Sequence, residues 1–107
     1  MEPRPRELLE YVAESGRCPF ADWINGLDRQ SRALVRKRLN RLRLGNLGDA
    51  RSVGDGVKEL RIHVGPGYRV YFGEDGETLV VLLCGGDKGS QDDDISRAKR
   101  YWADYRS

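Results

Sequence analysis

An uninterrupted apolar run near the C-terminal end of the chain limits the folds that this sequence can adopt. Residues 78–84 read TLVVLLC, between the turn signal GEDG at 73–76 and the pair Gly85-Gly86. A strand with one solvent face would not be apolar at nearly every position, and the run is too short to cross a membrane. It is typical of a strand covered on both faces. We predict a central β-strand here, with other elements packed over it.

Two strands with a period of two precede this run, and the turn signal Gly65-Pro66-Gly67 joins them. A period of two places alternate side chains on opposite faces of a sheet. The two segments are therefore predicted to form an antiparallel hairpin. The core face is expected to carry Leu60, Ile62, Val64, Tyr68, Val70 and Phe72, and the opposite face Glu59, Arg61, His63, Arg69 and Tyr71.

Three helices are predicted from apolar residues that recur every three or four positions. The first begins at Pro19, the second follows the N-cap Asp28 and ends before Gly45, and the third follows the aspartates at 92–94. Residues 7–13 (ELLEYVA) are predicted to form a first strand, with a helix as the alternative. The apolar faces comprise Phe20, Trp23, Ile24 and Leu27 in the first helix, Leu34, Val35, Leu39 and Leu42 in the second, and Ile95, Ala98, Trp102 and Tyr105 in the third.

Length and composition predict a single domain over residues 1–107. Hydrophobic residues make up 38% and charged residues 34% of the 107 residues, which suffices for one small core but not for two. The predicted fold class is α+β, with a small, mainly antiparallel sheet in the order strand, helix, helix, three-strand meander, followed by a C-terminal helix. No run reaches the roughly 18 apolar residues of a membrane span, and the first residues lack a signal-peptide core. We expect a cytoplasmic location and no membrane partner.

Positive charge is concentrated in the middle of the chain. Between residues 29 and 69 there are eleven Lys or Arg against three acids, a net charge of +8, whereas the remainder carries −6. Clustered Lys and Arg gain affinity for a polyanion by releasing its counterions. The segment is predicted to face a nucleic acid, with a merely solvated helix face as the alternative.

The remaining motifs restrict the chemistry. A single histidine and two cysteines 66 positions apart provide no metal-binding pattern, and neither a nucleophile elbow nor a phosphate-binding loop is present. We therefore expect no metal and no cofactor. Cys84, at the end of the apolar run, is predicted to be a small buried hydrophobe.

The polar strand face fits RNA cleavage without a metal ion. In that reaction the 2′-hydroxyl attacks the adjacent phosphorus, cations stabilise the nonbridging oxygens, and a base and an acid move protons. Arg61, His63, Arg69 and Tyr71 are predicted to project from one face, whereas Lys58 falls on the apolar side by parity. Each residue also has a structural alternative: Arg61 pairing with Glu59, His63 at the rim of the turn, and Tyr71 packing its ring.

Several segments together resemble a known family. The runs KELRIHVGPGYRVYF and LVVLLCGGDKGSQDDDISRAK, with PFADWINGLD and the Arg-rich helix, resemble the RelE/HigB-like addiction module killer toxins of bacterial type II toxin–antitoxin systems. The resemblance extends from about Tyr11 to Arg106. It implies the RelE/ParE fold, cleavage of mRNA on the ribosome without metal, and silencing by a cognate antitoxin, commonly a helix-turn-helix protein. Operator DNA would then be contacted only through the antitoxin.

The resemblance also implies roles for individual residues. Arg61 and Arg69 match basic strand positions that bind or stabilise the scissile phosphate, and Lys58 and Lys88 are candidates for base or phosphate clamp. His63 is a candidate proton acceptor, because histidine is the side chain that titrates near neutral pH. Two other classes stay open: a relative of the ParE toxins that poisons DNA gyrase without cleaving RNA, and an inactive relative that only binds antitoxin. The residues expected to contact RNA or the ribosome are Arg32, Arg36, Lys37, Arg41, Tyr71 and Tyr101.

Overall fold

The computed structural model describes residues 4–107, and its architecture is α+β, as predicted. Five strands form one mixed sheet, and three α-helices flank it within the described part of the chain. None of these helices is long and apolar enough to cross a bilayer. The elements are β1 (Glu7–Glu10), α1 (Pro19–Asn25), α2 (Arg29–Arg43), β2 (Ala50–Gly54), β3 (Val57–Ile62), β4 (Tyr68–Asp75), β5 (Leu79–Gly86), a short 3₁₀ turn (Lys88–Ser90) and α3 (Gln91–Arg106).

The sheet has the strand order β1-β5-β4-β3-β2. Strand β1 runs parallel to β5, and all other neighbours are antiparallel, so β3, β4 and β5 form the predicted meander. Strand β5 is an interior strand as expected, although β4 rather than β5 occupies the middle of the sheet. Strand β2 was not predicted, because its sequence ARSVG has no clear apolar period. It pairs with β3 across a tight turn in which Asp55 and Gly56 both have positive φ.

Both faces of the sheet are covered. Helices α1 and α2 pack on one face, and α3 packs on the other. This explains the apolar run of β5, whose side chains are buried on both sides. It also corrects the prediction of a solvent-facing polar side, since α3 covers much of it. The α1/α2 face includes Leu60, Ile62, Val70, Phe72, Val80 and Leu82, and the α3 face includes Val57, Tyr71, Val81, Leu83 and Trp102.

Helix ends follow the local signals in the sequence. Pro19 occupies the first turn of α1, and the Asp28 carboxylate accepts a hydrogen bond from the Ser31 backbone N–H at 3.2 Å, which caps α2. Cys84 is buried, and burial raises the pKa of its thiol to about 12, in agreement with its predicted role in the core. Strand β3 ends at Ile62, earlier than predicted. Val64 is consequently exposed instead of entering the core.

Gly85 of β5 is required by the close approach of Trp23. A Cβ atom at residue 85 would overlap the indole ring, which lies directly on the strand. We expect Gly85→Ala to lower the free energy of unfolding by about 1–3 kcal/mol through overpacking, measured by urea denaturation. Gly26→Ala is the control, because a Cβ atom at residue 26 would lie no closer than 3.4 Å to any neighbouring atom, the nearest being the Trp23 carbonyl oxygen. An unchanged stability of Gly85→Ala would contradict this packing.

Candidate functional site

Arg61 and Arg69 lie side by side on the sheet. Their Cα atoms are partners in the β3–β4 register, so both residues project toward the α3 face, as parity predicted. The same face carries Glu59, two residues before Arg61. Its side chain is completely buried, although it is a carboxylate. The site must therefore contain groups that compensate this buried charge.

Three arginines surround the Glu59 carboxylate. Oxygen Oε1 lies 3.1 Å from Nε of Arg51 on β2 and 3.3 Å from Nε of Arg61. Oxygen Oε2 lies 3.6 Å from Nε of Arg69. The sequence suggested Glu59 as a partner of Arg61, but it did not indicate Arg51, because β2 was not predicted.

Two neutral side chains complete the coordination of Glu59. The Tyr71 hydroxyl donates to Oε2 at 3.0 Å, and the Gln91 amide, at the first turn of α3, donates to the same oxygen at 2.8 Å. Burial alone would raise the pKa of Glu59, but hydrogen bonds from Gln91, Tyr71, Arg61 and Arg51 together lower it below the ordinary range. Glu59 is therefore an ionised buried carboxylate that joins β2, β3, β4 and α3.

Arg69 and Tyr71 do not face solvent, contrary to prediction. Arg69 is 8% exposed, and its Nη1 donates to the Gly67 carbonyl at 3.0 Å, so the guanidinium braces the turn between β3 and β4. Tyr71 is fully buried, and burial beside Glu59 raises the pKa of its hydroxyl well above the ordinary value. The reason is the docking of α3 over this face. Arg61, by contrast, retains an accessible side chain, which is 32% exposed.

Arg61 also lines an open groove between α2 and the end of β3. The groove has a volume of about 370 Å³, and the loop from residue 46 to 49 closes one side. We call it the α2/β3 groove. Apolar residues Leu34, Ile62 and Val64 contribute to its wall. Its basic residues come from both sides. Helix α2 contributes Lys37, Arg38 and Arg41, strand β3 contributes Arg61, and His63 follows directly after the strand.

Within the groove, His63 Nε2 and Asp49 Oδ2 share a hydrogen bond. The hydrogen bond from His63 and the nearby charges of Arg61 and Arg38 lower the pKa of Asp49. His63 follows Ile62, the last residue of β3, so it stands at the end of the strand and not within it. His63 and Arg61 nevertheless line the same groove.

Arg38 connects α2 to the loop that closes the groove. Its guanidinium donates to the Leu47 carbonyl at 2.8 Å, and partial burial together with the nearby Arg41 charge lowers its pKa. Sequence reasoning counted Arg38 in the basic segment without selecting it as a site residue. Lys37 and Arg41 are exposed beside it. Arg32 and Arg36 lie on the same helix but do not line this groove.

The other predicted residues lie elsewhere. Lys58 projects toward the α1/α2 face, as parity indicated, and its Nζ lies 2.5 Å from the Glu74 carboxylate. Lys88 is exposed in the 3₁₀ turn, on the side of the molecule where Arg69 braces Gly67. Tyr101 is half-buried, stacks on Tyr11 with ring centroids 5.2 Å apart, and lines a different cavity. The structure therefore does not bring Lys58 or Tyr101 to the groove.

The lowered pKa of Glu59 predicts a loss of stability in acid. In the unfolded chain the Glu59 carboxyl takes up its proton near pH 4.3, and in the folded protein it does so at a lower pH. The stabilisation by ionised Glu59 is therefore complete above about pH 4.3. It is lost as the pH falls through the pKa of Glu59 in the folded protein. We expect urea denaturation between pH 7 and pH 3 to show this fall, and Glu59→Gln to flatten it. Parallel curves for the two proteins would contradict the prediction.

Comparison with known proteins identifies the family. The family model "Phage derived protein Gp49-like (DUF891)" matches residues 22–106, a range that contains Glu59 and the α2/β3 groove. An uncharacterized protein of Haemophilus influenzae (strain ATCC 51907 / DSM 11121 / KW20 / Rd) is 49% identical over 81 residues, which cover 75% of this chain and 82% of that protein. Within residues 4–107, no group of three His, Cys, Asp or Glu side chains is placed to hold a metal ion. The chain belongs to the Gp49-like family of phage-derived proteins, a family of RelE-like toxins of the toxin–antitoxin type, and this membership implies a cognate antitoxin.

Proposed function

We propose that this protein is the toxin of a type II toxin–antitoxin pair and cleaves mRNA on the ribosome, as RelE- and HigB-like toxins do. The observation that carries the proposal is the convergence of Arg61 and His63 with Lys37, Arg38 and Arg41 on one open groove. Arginine matches the geometry of phosphate oxygens, and an imidazole suits proton exchange near neutral pH. These are the groups that cleavage at a 2′-hydroxyl requires.

The reaction assigns a role to each side chain of the groove. A bond forms between the 2′-oxygen and phosphorus while the bond to the 5′-oxygen of the next nucleotide breaks, which leaves a 2′,3′-cyclic phosphate and a 5′-hydroxyl. Arg61 stabilises the added charge on the nonbridging oxygens. His63 accepts the proton of the 2′-hydroxyl, solvent water protonates the departing 5′-oxygen, and the hydrogen bond between the His63 ring and Asp49 orients the imidazole. Exposed Lys37 and Arg41 extend the contact along the RNA backbone.

The same proposal includes partners and location. A cytoplasmic toxin meets ribosomes and mRNA directly, and a helix-turn-helix antitoxin would silence it and contact operator DNA. Arg36, which is exposed, and Arg32, which is half-buried, lie on α2 outside the groove and suit contacts with ribosomal RNA, because such contacts require accessible cations and no closed pocket. Lys88 supplies a further exposed cation near Gly67.

Addition of the purified protein to a translating extract tests the function. We expect transcripts cut within codons at the ribosomal A site, with 5′-hydroxyl ends that primer extension and end labelling detect. Intact transcripts together with impaired DNA supercoiling would instead identify a gyrase poison. Intact transcripts and normal supercoiling, with antitoxin binding retained, would identify an inactive relative.

A further inference from the structure

Two arginines on neighbouring strands share one carboxylate oxygen. Arg51 on β2 and Arg61 on β3 each direct Nε toward Oε1 of Glu59, at 3.1 Å and 3.3 Å. The Cα atoms of Arg51 and Glu59 are partners in the β2–β3 register, so the contact is built into the sheet. The two guanidinium groups are consequently held close together in spite of their like charge.

The outer ends of both guanidinium groups remain available. Arg51 and Arg61 hydrogen-bond through Nε, and within residues 4–107 no protein acceptor receives a hydrogen bond from the Nη atoms of either residue. Their side chains are 53% and 32% exposed, respectively. A guanidinium that is anchored through Nε still presents two amino groups, in the fork geometry that binds oxyanions.

The local charge favours an anion. Arg51, Arg61 and Arg69 contribute three positive charges around the single negative charge of Glu59, so the cluster keeps an excess of two. Asp49 is the additional acid near Arg61, and it is paired with His63. Bidentate contacts from arginine select planar or tetrahedral oxyanions such as a phosphate.

We propose that Arg51 and Arg61 form a clamp for a phosphate of the RNA backbone, and that Glu59 is a positioning residue that fixes the spacing of their guanidinium groups. RNA is the ligand because Arg61 also lines the α2/β3 groove, so that a single RNA strand can contact both the groove and the clamp. In this respect the inference rests on the proposed function. It adds Arg51, which lies outside the groove, to the RNA-binding surface.

The first test measures binding without cleavage. The probe is a short single-stranded RNA with 2′-O-methyl sugars, which lack the attacking hydroxyl, and fluorescence anisotropy reports the affinity of the purified chain. We expect Arg51→Ala to weaken binding about tenfold at low salt, as the loss of one charge-assisted contact implies. The slope of log affinity against log salt should fall by about 0.7, the value for one phosphate on a single strand.

The matched control is Arg100→Ala, which removes the same charge from an exposed position on α3. It should change the affinity and the salt slope much less. Equal effects of Arg51→Ala and Arg100→Ala, or no effect of Arg51→Ala, would overturn the clamp.

Two further variants separate geometry from charge. Arg51→Lys keeps the positive charge but has neither an Nε–H for Glu59 nor a fork for phosphate, so the clamp predicts a loss close to that of Arg51→Ala. Full retention of RNA affinity by Arg51→Lys would show that Arg51 contributes only its positive charge, and it would overturn the proposal. Glu59→Gln removes a negative charge, which by charge alone would tighten RNA binding. We expect weaker binding instead, because the two guanidinium groups are no longer held together, and tighter binding would exclude the positioning role.

The two proposals have separate outcomes. Loss of binding in Arg51→Ala without any mRNA cleavage by the wild-type chain would leave the clamp and reject the nuclease. Cleavage by the wild-type chain with normal binding by Arg51→Ala would leave the nuclease and reject the clamp.

Discussion

Replacement of Arg61 by alanine is expected to slow mRNA cleavage by about 100-fold or more, the usual effect of removing one group that stabilises charge in a transition state. Arg61 is the residue common to the α2/β3 groove and the Glu59 cluster, and its side chain is accessible. Its removal leaves Glu59 with the partners Arg51, Arg69, Tyr71 and Gln91, so the protein should stay folded.

Single-turnover cleavage of mRNA on programmed ribosomes measures this effect, and growth arrest in cells without antitoxin provides a second readout. Arg61→Lys should recover part of the rate through its charge, but not all of it, because lysine lacks the planar fork. Arg100→Ala controls for the change in net charge. A cleavage rate of Arg61→Ala equal to that of the wild type, in a folded protein, would remove Arg61 from the reaction.

Replacement of Glu59 by methionine is expected to lower the free energy of unfolding by about 3–5 kcal/mol, the cost of breaking a buried ionic network by removing one partner. The substitution leaves the buried Tyr71 hydroxyl without its acceptor and removes the negative charge that lies 3.6 Å from Nε of buried Arg69. It also detaches Gln91 of α3 from the sheet. An unsatisfied buried donor loses its interaction with water and gains nothing in exchange.

Urea denaturation followed by circular dichroism measures this loss. Glu77→Met is the matched control, because the Glu77 side chain is 80% exposed and its ion pair with Arg4 lies at the surface, where such pairs contribute little. The control should leave the stability nearly unchanged. If Glu59→Met were as stable as the control, the carboxylate would not be the centre that joins the strands and α3.

Arg69 shows how far local sequence reasoning reaches. Alternation placed Arg61 and Arg69 on one face, and the β3–β4 register confirms it. Alternation carries no information on what covers that face, and α3 is separated from Arg69 by all of β5 in the sequence. Once α3 packs there, Arg69 becomes a buried partner of Glu59, whereas Arg61, nearer the groove, stays accessible. The two residues looked equivalent in the sequence because their difference arises from a distant element.

The α2/β3 groove is a second feature that local sequence patterns did not predict. The basic character of α2 and the positions of Arg61 and His63 were visible in the sequence as separate features. The loop after α2 brings them together: Arg38 donates to the Leu47 carbonyl, and Asp49 pairs with His63. Neither contact leaves a pattern of spacing in the chain, so Arg38 and Asp49 could not be selected beforehand.

Hydrophobic periodicity and turn residues determined the α+β class, the three helices, the meander and the shared side of Arg61 and Arg69, because each depends on contacts between residues close in sequence. The tertiary structure alone decided that strand β2 places Arg51 beside Glu59, that α3 buries Arg69 and Tyr71, and that α2 and the end of β3 enclose a groove. These outcomes depend on how distant elements pack, and on the requirement that a buried carboxylate keep its hydrogen-bond donors.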